Sequence, residues 1–452
     1  MIGCRITGFS QNPAQQTLKD ILESALNSVH PRQKMKQIVF VNRKRLVVSP
    51  PGGMQKAFPI RSQGRIWVFG AGKAAARMAE GVEDSLGSAI SGGCVLVSKK
   101  ARISIEQYVT DHPIPGRRTF RGTQRMIKMI DRVGPKDILI FLISGGASAM
   151  LEMPAVWINK HEFIKMNKIL LKSGANIHDI NRIRPLFSQV KGGRLACRAF
   201  PAQVIGLLVS DVTGDKPEKI GSGPTIPISV DWKETKKAFE RTGLMEKCPD
   251  LWNRLLNQKK YIEISRNIQT GEQKLSNYTI INNMDAISAA RKKAASNGFY
   301  PVLLNRFLSY DIEKTVETWI STIHKWINQS KHKKICVIAG GEPTVRLDQN
   351  AGLGGRNQEL VLRLYQLLRF KEIKLCFASI GTDGIDGNTN AAGACFCLGK
   401  TKDESKLEKE IVKHIKEHDS YRFFKKYGGH IFTGPTGTNV MDLQICLIDL
   451  TN

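Results

Sequence analysis

The sequence predicts an α/β fold with a Rossmann-like, mostly parallel sheet in one domain and a second, smaller α/β domain. Three observations predict this class: short apolar runs recur along the chain, most of them end in a glycine-rich loop, and helix-like segments separate them. Continuous apolar runs are typical of strands that are covered on both faces of a parallel sheet. A length of 452 residues is about three times the roughly 150 residues of a usual domain, which indicates two domains.

The chain opens with a predicted amphipathic helix. Asn12 suits the N-cap, Pro13 suits the first helical position, and apolar residues follow at helical spacing as far as Val29. The segments 285–297 and 312–327 show the same spacing, and Gly298 ends the first of them. Strands are predicted from apolar runs at 66–69, 94–98, 138–143, 204–209, 278–281, 335–339, 375–380 and 444–448.

A change of composition indicates the domain boundary. Residues 231–273 are rich in Lys, Asn and Glu and carry few strong structural signals. We therefore predict domains of 1–260 and 261–452, with the last strand able to pack back toward the first domain. Ligand-binding loops are expected at the carboxyl ends of the strands, where α/β sheets bind their ligands.

The bulk composition excludes several classes of function. A formal charge of +28 attracts phosphates, nucleic acid and anionic membranes, but the basic residues form only short clusters without aromatic stacking residues, so no specific nucleic-acid partner is expected. No apolar run reaches the ~18 residues of a membrane helix, and none suits a secretory leader. Nine cysteines without a C-x-x-C pair indicate the reducing cytoplasm, and Cys395 and Cys397 are interpreted as packed core. A monomer or a homodimer is expected.

The first glycine-rich loop follows the run 66–69. Gly70 and Gly72 let backbone N–H groups approach an anion at a helix N-terminus, and Lys73 adds a positive charge there. The loop also satisfies the loose G-x-G-x-x-G/A dinucleotide pattern, so an NAD(P)-dependent dehydrogenase is an alternative. The next strand ends in Lys99 and Lys100 instead of the acidic residue that NAD requires, although NADP remains compatible with lysine.

Two further strand ends carry groups suited to a nucleotide. Small residues and hydroxyls after 138–143 suit a phosphate, and we assign phosphate binding to Ser144, Gly145, Gly146 and Ser148. Asp211 and Asp215 follow the run 204–209, and Mg²⁺ prefers one or two carboxylates together with phosphate oxygens. A turn-capping role for these aspartates is the alternative.

The carboxy-terminal half carries four more such loops. Arg356, on a glycine-rich approach to a helix, can clamp phosphate oxygens bidentately, and such arginines contribute roughly 10³- to 10⁵-fold in phosphoryl transfer. A surface arginine that caps the preceding turn is the alternative. Asp383 is interpreted as a proton acceptor or metal ligand. The other residues assigned here to phosphate or to a sugar or acid are Gly355, Asn357, Gly381, Thr382, Thr436 and Asn439.

In this order the segments resemble the class II glycerate 2-kinases, whose carboxy-terminal part is the MOFRL domain. Nearly the full chain takes part, and further matching segments are Asp111-His112-Pro113-Ile114-Pro115, Asn181-Arg182-Ile183-Arg184, Ser188, Lys191-Gly192-Gly193 and Gly340-Gly341-Glu342-Pro343-Thr344. The resemblance implies a Rossmann-like amino-terminal domain, a MOFRL-type carboxy-terminal domain, and an interdomain site where ATP and Mg²⁺ convert D-glycerate to 2-phosphoglycerate.

The resemblance also implies roles for individual residues. Lys73 and Arg356 match the family's essential basic pair, and Asp211 or Asp215, Glu342 and Asp383 match acidic positions that handle metal, substrate or proton. The residues expected to bind the substrate are His112, Arg184, Lys191, Thr436 and Asn439.

Two departures from the family's pattern bear on the choice of acceptor. Asn388-Thr389-Asn390 lacks a carboxylate that is common in the family, and Pro185 is expected to push Arg184 out of helical geometry. Because related chains are often labelled as reductases, an NAD(P)H-dependent hydroxypyruvate reductase remains the alternative function. A reductase gives no reason for the later Gly-Arg and Gly-Thr-Asp-Gly loops, so kinase activity is favoured.

Overall fold

A computed structural model of the chain describes residues 6–10, 12–259, 262, 274–347, 351–369, 373–398 and 404–451. The chain divides into two compact units. The first unit is Pro31–Ile281, and the second joins Met1–His30 to Asn282–Asn452. The predicted boundary between 260 and 261 lies outside the described residues.

Two sheets build the first unit. A small antiparallel sheet contains β1 (Val39–Asn42), β2 (Arg45–Val48) and β3 (Lys56–Pro59). The strands of the large sheet are β4 (Ile66–Ala71), β5 (Ile90–Val97), β6 (Glu106–Val109), β7 (Ile138–Ile143), β8 (Gln203–Val209) and β9 (Leu275–Ile281). They are parallel throughout and lie in the order β6-β5-β4-β7-β8-β9.

This strand order is that of a Rossmann fold. The chain builds outward from β4 to β6 on one side and from β7 to β9 on the other, so the direction of winding reverses between β4 and β7. A crevice opens at such a switch point, at the carboxyl ends of the strands, and binds ligands. The predicted Rossmann-like sheet is confirmed, and its first two glycine-rich loops follow the two strands at the switch point.

Helices connect the strands of the first unit. Arg117–Ile130 shows how the sequence determines one of them, because Phe120, Ile127 and Ile130 recur at helical spacing and are buried while the arginines between them are exposed. The α-helices of this unit are Pro31–Ile38, Ala75–Leu86, Arg117–Ile130, Ala147–Met150, Lys160–Lys172, Ile177–Ile183, Arg194–Ala199, Trp232–Arg241, Leu244–Lys247 and Pro249–Asn257. Short 3₁₀ turns occupy Gly87–Ala89, Arg184–Phe187 and Pro217–Ser222.

The second unit has a mixed sheet. Its strands are β10 (Tyr300–Asn305), β11 (Lys334–Gly341), β12 (Lys374–Gly381), β13 (Gly393–Cys397), β14 (His430–Ile431) and β15 (Asp442–Asp449), in the order β10-β11-β15-β12-β13-β14. Only the pair β10–β11 is parallel among these neighbours. Because β15 runs antiparallel to both β11 and β12, the ends of β11 and β12 lie opposite its first residue, with Asp442 in register with Gly341 and Gly381.

The helices of the second unit are Pro13–Ser28, Asn283–Ser296, Ile312–Gln329, Arg356–Leu368, Glu404–Lys416 and Ser420–Tyr427. The first begins as predicted, since the Asn12 side chain accepts a hydrogen bond from the N–H of Ala14 at 2.9 Å. It packs on Asn283–Ser296, where the Ser28 hydroxyl donates to the Asp285 carbonyl at 3.2 Å. Sequence order alone grouped this helix with the first domain, whereas its apolar face is covered in the second unit.

The expected strands are all present, but two expectations about them differ from the structure. Four of the five neighbouring pairs in the second sheet are antiparallel, two of them because β15 lies between β11 and β12. The last strand therefore completes the sheet of its own unit. Sequence analysis also interpreted Cys397 as packed core, whereas Cys397 of β13 forms a disulfide with Cys376, the residue opposite it on β12. Across the described ranges, no helix is long and apolar enough to cross a membrane.

Candidate active site

The first two glycine-rich loops are hydrogen-bonded to each other at the switch point of the parallel sheet. The N–H of Lys73 donates to the Gly145 carbonyl at 2.8 Å, and the N–H of Ser144 donates to the Ala71 carbonyl at 3.1 Å. The Ser144 hydroxyl accepts from the N–H of Ala74 at 3.0 Å, just before the helix Ala75–Leu86. At Gly72, with φ of 121°, a Cβ would lie 2.3 Å from the Ser144 hydroxyl. Glycine is therefore required where the loops meet.

Lys73, His112 and Asp211 surround the second loop. A Cβ at Gly146 would lie 3.3 Å from both Lys73 Cγ and His112 Nε2, and one at Gly145 would lie 1.9 Å from Asp211 Oδ2. Burial and then the charge of Lys73 lower the pKa of His112, which favours the neutral imidazole at pH 7. The structure thus places a lysine, a neutral histidine and a carboxylate around one glycine-rich loop. Such a set can bind an anion and handle a proton.

Lys191 lies in a buried polar cluster next to this loop. Its side chain is 1% exposed, and its ammonium group donates to the Glu152 carboxylate and, at 2.7 Å, to the Ser148 carbonyl. The Ser188 hydroxyl donates to the other carboxylate oxygen of Glu152 at 2.5 Å. Burial lowers the pKa of Arg184 nearby, and the charge of Glu152 opposes that shift. The ion pair with Glu152 keeps the Lys191 ammonium group buried, where a small ligand does not reach it.

Arg184 itself adopts helical geometry, with φ −50° and ψ −45°, so the expected effect of Pro185 is wrong. The 3₁₀ turn Arg184–Phe187 continues directly from Ile177–Ile183 and accepts proline at its start. Arg184 therefore combines a helical backbone with a side chain that lies largely within the protein.

The aspartates expected to bind metal lie on two different units. Asp211 contacts Gly145, Asp215 has a positive φ of 50° in the same strand-end segment, and Asp383 follows β12. In the part of the chain that the structure describes, no three His, Cys, Asp or Glu side chains gather as a metal-binding group. A single carboxylate beside a phosphate loop still fits Mg²⁺, which takes most of its remaining ligands from water and phosphate.

Arg356 is held by two carboxylates in the second unit. Its Nε and Nη2 donate to the two oxygens of Asp442 at 2.5 and 2.9 Å, and Nη2 also donates to Glu342 at 2.9 Å. The Asp442 side chain is 1% exposed, whereas 36% of Arg356 and 37% of Glu342 are exposed. Desolvation lowers the pKa of Arg356, but the charges of Asp442 and Glu342 raise it more, so the guanidinium stays charged.

A second buried aspartate holds the start of the helix Arg356–Leu368. Asp386 accepts hydrogen bonds from the backbone and side-chain amides of both Asn357 and Gln358, at 2.9–3.1 Å. A Cβ at Gly355 would lie 2.4 Å from its Oδ1. The Asn357 amide oxygen accepts from Ser379 at 2.5 Å, so this side chain, predicted to bind phosphate, is instead used to hold the helix on β12.

Thr382, also predicted to bind phosphate, is buried, and its hydroxyl is hydrogen-bonded to the backbone. Its hydroxyl donates to the Met441 carbonyl at 2.6 Å and accepts from the N–H of Val440 at 2.9 Å. Thr436 donates to the Thr382 carbonyl at 2.7 Å, and Asn439 accepts from the N–H of Met441 at 3.0 Å. These bonds hold the loop that leads into β15 next to the end of β12, where Gly381 and Asp383 lie.

Sequence reasoning missed two carboxylates of these clusters. Asp442 is the first residue of the apolar strand β15, and Glu152 lies between Leu151 and Met153 in an apolar stretch. A single carboxylate in an apolar run is a signal of a buried ion pair, because an unpaired charge is too costly to bury. That signal does not reveal the partner, which lies 86 residues away for Asp442 and 39 for Glu152.

Comparisons with known proteins cover nearly the whole chain. Residues 17–257 match a family described as a domain of unknown function, DUF4147, and residues 335–442 match the MOFRL family. A protein of Thermotoga maritima named D-glycerate 2-kinase is 35% identical over 91% of this chain and 97% of its own length. The crystal structure of a glycerate kinase from Thermotoga maritima superposes with a TM-score of 0.80 at 31% identity, covering 96% of this chain and 99% of that one. A protein of Agrobacterium vitis named putative hydroxypyruvate reductase is 31% identical over 98% of this chain and 97% of its own length.

Proposed function

Since this chain belongs to the glycerate 2-kinases that carry a MOFRL domain, and is itself a kinase, we propose that it transfers the γ-phosphoryl of ATP to the 2-hydroxyl of D-glycerate. The observation that carries the proposal is the junction of two glycine-rich loops and Lys73 at the switch point of a Rossmann sheet. Backbone N–H groups and a lysine at such a place suit the phosphates of a nucleotide.

In the first unit, the proposed nucleotide groups are the loops around Gly72 and Gly145. Lys73 neutralises phosphate oxygens, and its side chain lies against Gly146 of the second loop. His112 lies on the same glycine and is favoured in its neutral form, so it can hydrogen-bond the hydroxy acid without adding charge. Arg184 supplies a half-buried positive charge suited to the carboxylate of the substrate.

In the second unit, Arg356 is proposed to stabilise negative charge that develops on phosphoryl oxygens. Asp442 holds its Nε and Nη2, while Glu342 is more exposed and can exchange its bond for one to a ligand. A guanidinium fixed in this way reaches the transition state without reorganisation, which is the basis of electrostatic catalysis. Asp383 is the proposed proton acceptor from the substrate hydroxyl, in the loop after β12.

Mg²⁺ is proposed as the metal that accompanies ATP. Asp211, beside Gly145, is the residue of the first unit that would hold it, and Asp215 in the same segment is the second candidate. When bound, the ion neutralises phosphate charge. That the enzyme works in the cytoplasm stays a prediction from its composition.

Hydroxypyruvate reduction is the second candidate, favoured by the dinucleotide-like first loop and by the name of the Agrobacterium vitis relative. After β5 the chain continues with Ser98, Lys99 and Lys100, so the ribose-binding acid of an NAD site does not follow that strand. Hydride transfer also does not require an arginine that is fixed by a bidentate carboxylate, as Arg356 is by Asp442. Both observations favour the kinase.

The test is a pair of assays on the purified protein. One contains ATP, Mg²⁺ and D-glycerate and follows 2-phosphoglycerate through enolase, and the other contains hydroxypyruvate and NADPH. We expect turnover in the first assay. Turnover in the second assay alone would overturn the kinase proposal.

Two variants test the proposed residues. Lys73→Ala and Arg356→Ala should each lower kcat by at least about 10²-fold, because each removes a charge that interacts with the transition state. Lys99→Ala, just after β5, and Lys325→Ala, on the exposed face of the helix Ile312–Gln329, are the matched controls. A kcat close to that of the wild type in either site variant would remove that residue from the mechanism.

A further inference from the structure

The buried pair of Lys191 and Glu152 connects the proposed phosphate loop to a second turn of the first unit. Lys191 donates to the Ser148 carbonyl at 2.7 Å, and the Ser148 hydroxyl lies 2.9 Å from the Ser222 hydroxyl. Just after Lys191, the N–H of Gly192 donates to the Ser222 carbonyl at 3.1 Å. Lys191 therefore bonds to the loop at 144–149 through its ammonium group, while the next residue, Gly192, bonds to the turn at 221–223, which also contacts Ser148 of that loop.

Glu152 is bonded so that it can orient this ammonium group. One of its oxygens accepts from the Ser188 hydroxyl at 2.5 Å and from the N–H of Met153 at 2.9 Å, and the other accepts from Lys191. The Ser188 hydroxyl accepts in turn from the N–H groups of Val190 and Lys191, both at 3.2 Å. The carboxylate is thus fixed from several directions before it meets the lysine.

The burial of Lys191 and Glu152 shows that they act indirectly, without touching a ligand. The side chains of Lys191 and Glu152 are 1% and 0% exposed, so a small acid in solution meets neither of them. Arg184, whose charge interacts with both, remains only partly buried. An ammonium group that is enclosed by its own chain and bonded to a loop carbonyl can influence the reaction through that loop.

We infer that Lys191 and Glu152 are positioning residues: the pair fixes the Ser148 carbonyl and thereby holds the Ser144–Gly146 segment in the conformation that binds the phosphates of ATP. The inference rests on the proposed function, because it assumes that this loop receives ATP. It differs from the sequence-based expectation that Lys191 binds the substrate. It predicts an effect on ATP without an effect on glycerate.

The experiment compares a single variant with a charge-free double variant. Lys191→Met leaves Glu152 buried without its cation, so its melting temperature should fall well below that of the wild type. Adding Glu152→Gln removes the second charge and keeps the shape, and the melting temperature should recover most of that loss. Lys172→Met, the same substitution on the exposed face of a neighbouring helix, is the control and should match the wild type.

Kinetics on the double variant separate positioning from stability. Because the Ser148 carbonyl still lacks its donor, we expect KM for ATP to stay about 10-fold or more above the wild type, while KM for D-glycerate changes by less than about twofold. Recovery of KM for ATP together with the melting temperature would show a purely structural pair and overturn the inference. A rise of KM for D-glycerate alone would make Lys191 a substrate ligand and overturn it too.

Ser188→Ala provides a milder test in case the charge variants do not fold. It keeps both charges and removes the hydroxyl that orients Glu152, so ATP affinity should weaken by about three- to tenfold at unchanged glycerate affinity. Calorimetric titration of ATP reads this out without turnover. An unchanged dissociation constant for ATP would contradict the inference. Failure of the wild-type protein to phosphorylate glycerate would instead count against the proposed function, since ATP binding is measured separately.

Discussion

The contact between Arg356 and Asp442 allows a sharp prediction for Asp442→Asn. The two hydrogen bonds, at 2.5 and 2.9 Å, connect a buried carboxylate to a partly exposed guanidinium. An asparagine of the same shape keeps one acceptor but turns an NH₂ group toward an N–H of Arg356. The variant therefore loses about one charge-assisted hydrogen bond, worth about 1.5–3 kcal/mol.

That loss converts into a rate. If the bond serves to hold Arg356 in the geometry of the transition state, about 1.5–3 kcal/mol corresponds to a kcat about 10- to 150-fold lower. The fold should tolerate the change, because burial raises the pKa of Asp442 and an uncharged amide avoids that desolvation cost. We therefore expect a melting temperature only moderately below that of the wild type, because the avoided desolvation of the carboxylate offsets part of the lost hydrogen bond.

The assay is the enolase-coupled measurement of kcat, together with thermal unfolding of each variant. Asp449→Asn, at the other end of the same strand, is the matched control, because the partners of Asp449 are Thr451, at 2.6 and 2.9 Å, and Lys334, at 4.0 Å, and the substitution should leave kcat unchanged. A kcat of Asp442→Asn within about twofold of the wild type, alongside a strongly impaired Arg356→Ala, would refute the reasoning. Arg356 would then be active without the help of Asp442.

Two further predictions concern the first unit. Asp137 accepts hydrogen bonds from Arg65 at 2.8 Å and Gly134 at 3.0 Å, so Asp137→Asn should lower the free energy of unfolding in urea by about 2–3 kcal/mol. Burial raises the pKa of Asp137, but these hydrogen bonds lower it more, so the pKa lies below its ordinary value of 3.8. The contribution of Asp137 to stability is therefore present above pH 3.8 and is lost as the pH falls through the lower pKa of the folded state. Below about pH 4, the Asp137→Asn variant should therefore lose less stability than the wild type does. Gly72→Ala should abolish ATP binding in calorimetry, because the new Cβ would lie 2.3 Å from the Ser144 hydroxyl. Gly134→Ala is the control, since a Cβ there has no atom within 4 Å, and it should bind ATP normally. Normal ATP binding by Gly72→Ala would contradict the proposed loop geometry.

The fold and the kinase activity were predictable because they depend on local patterns and their order. The strands β4, β7, β11 and β12 each contain an apolar run that is readable in the sequence, and a glycine-rich loop follows each of these runs directly. Lys73 is adjacent to its loop, so its place at a strand end was readable without coordinates. The direction of β15 was not readable, because an apolar run looks the same whether its neighbours are parallel or antiparallel.

The individual side chains show where local patterns fail. Asn357 and Thr382 have the residue types of phosphate ligands, but their polar atoms are bonded within the protein, to Asp386 and Ser379 for the first and to residues 440–441 for the second. A hydroxyl or amide in a glycine-rich loop satisfies a neighbouring backbone as readily as a ligand. Only the position of those neighbours distinguishes the two uses.

The sequence by itself determined the order of strands and loops, the family, and the presence of Lys73 and Arg356 next to glycine-rich turns. Only the tertiary structure decided which charges meet. Arg356 meets Asp442 because β15 inserts between β11 and β12, and Lys191 meets Glu152 because two loops of the first unit pack together. The physical reason is that a buried charge requires an opposite charge in space, and the partner's distance along the chain has no bearing on that requirement.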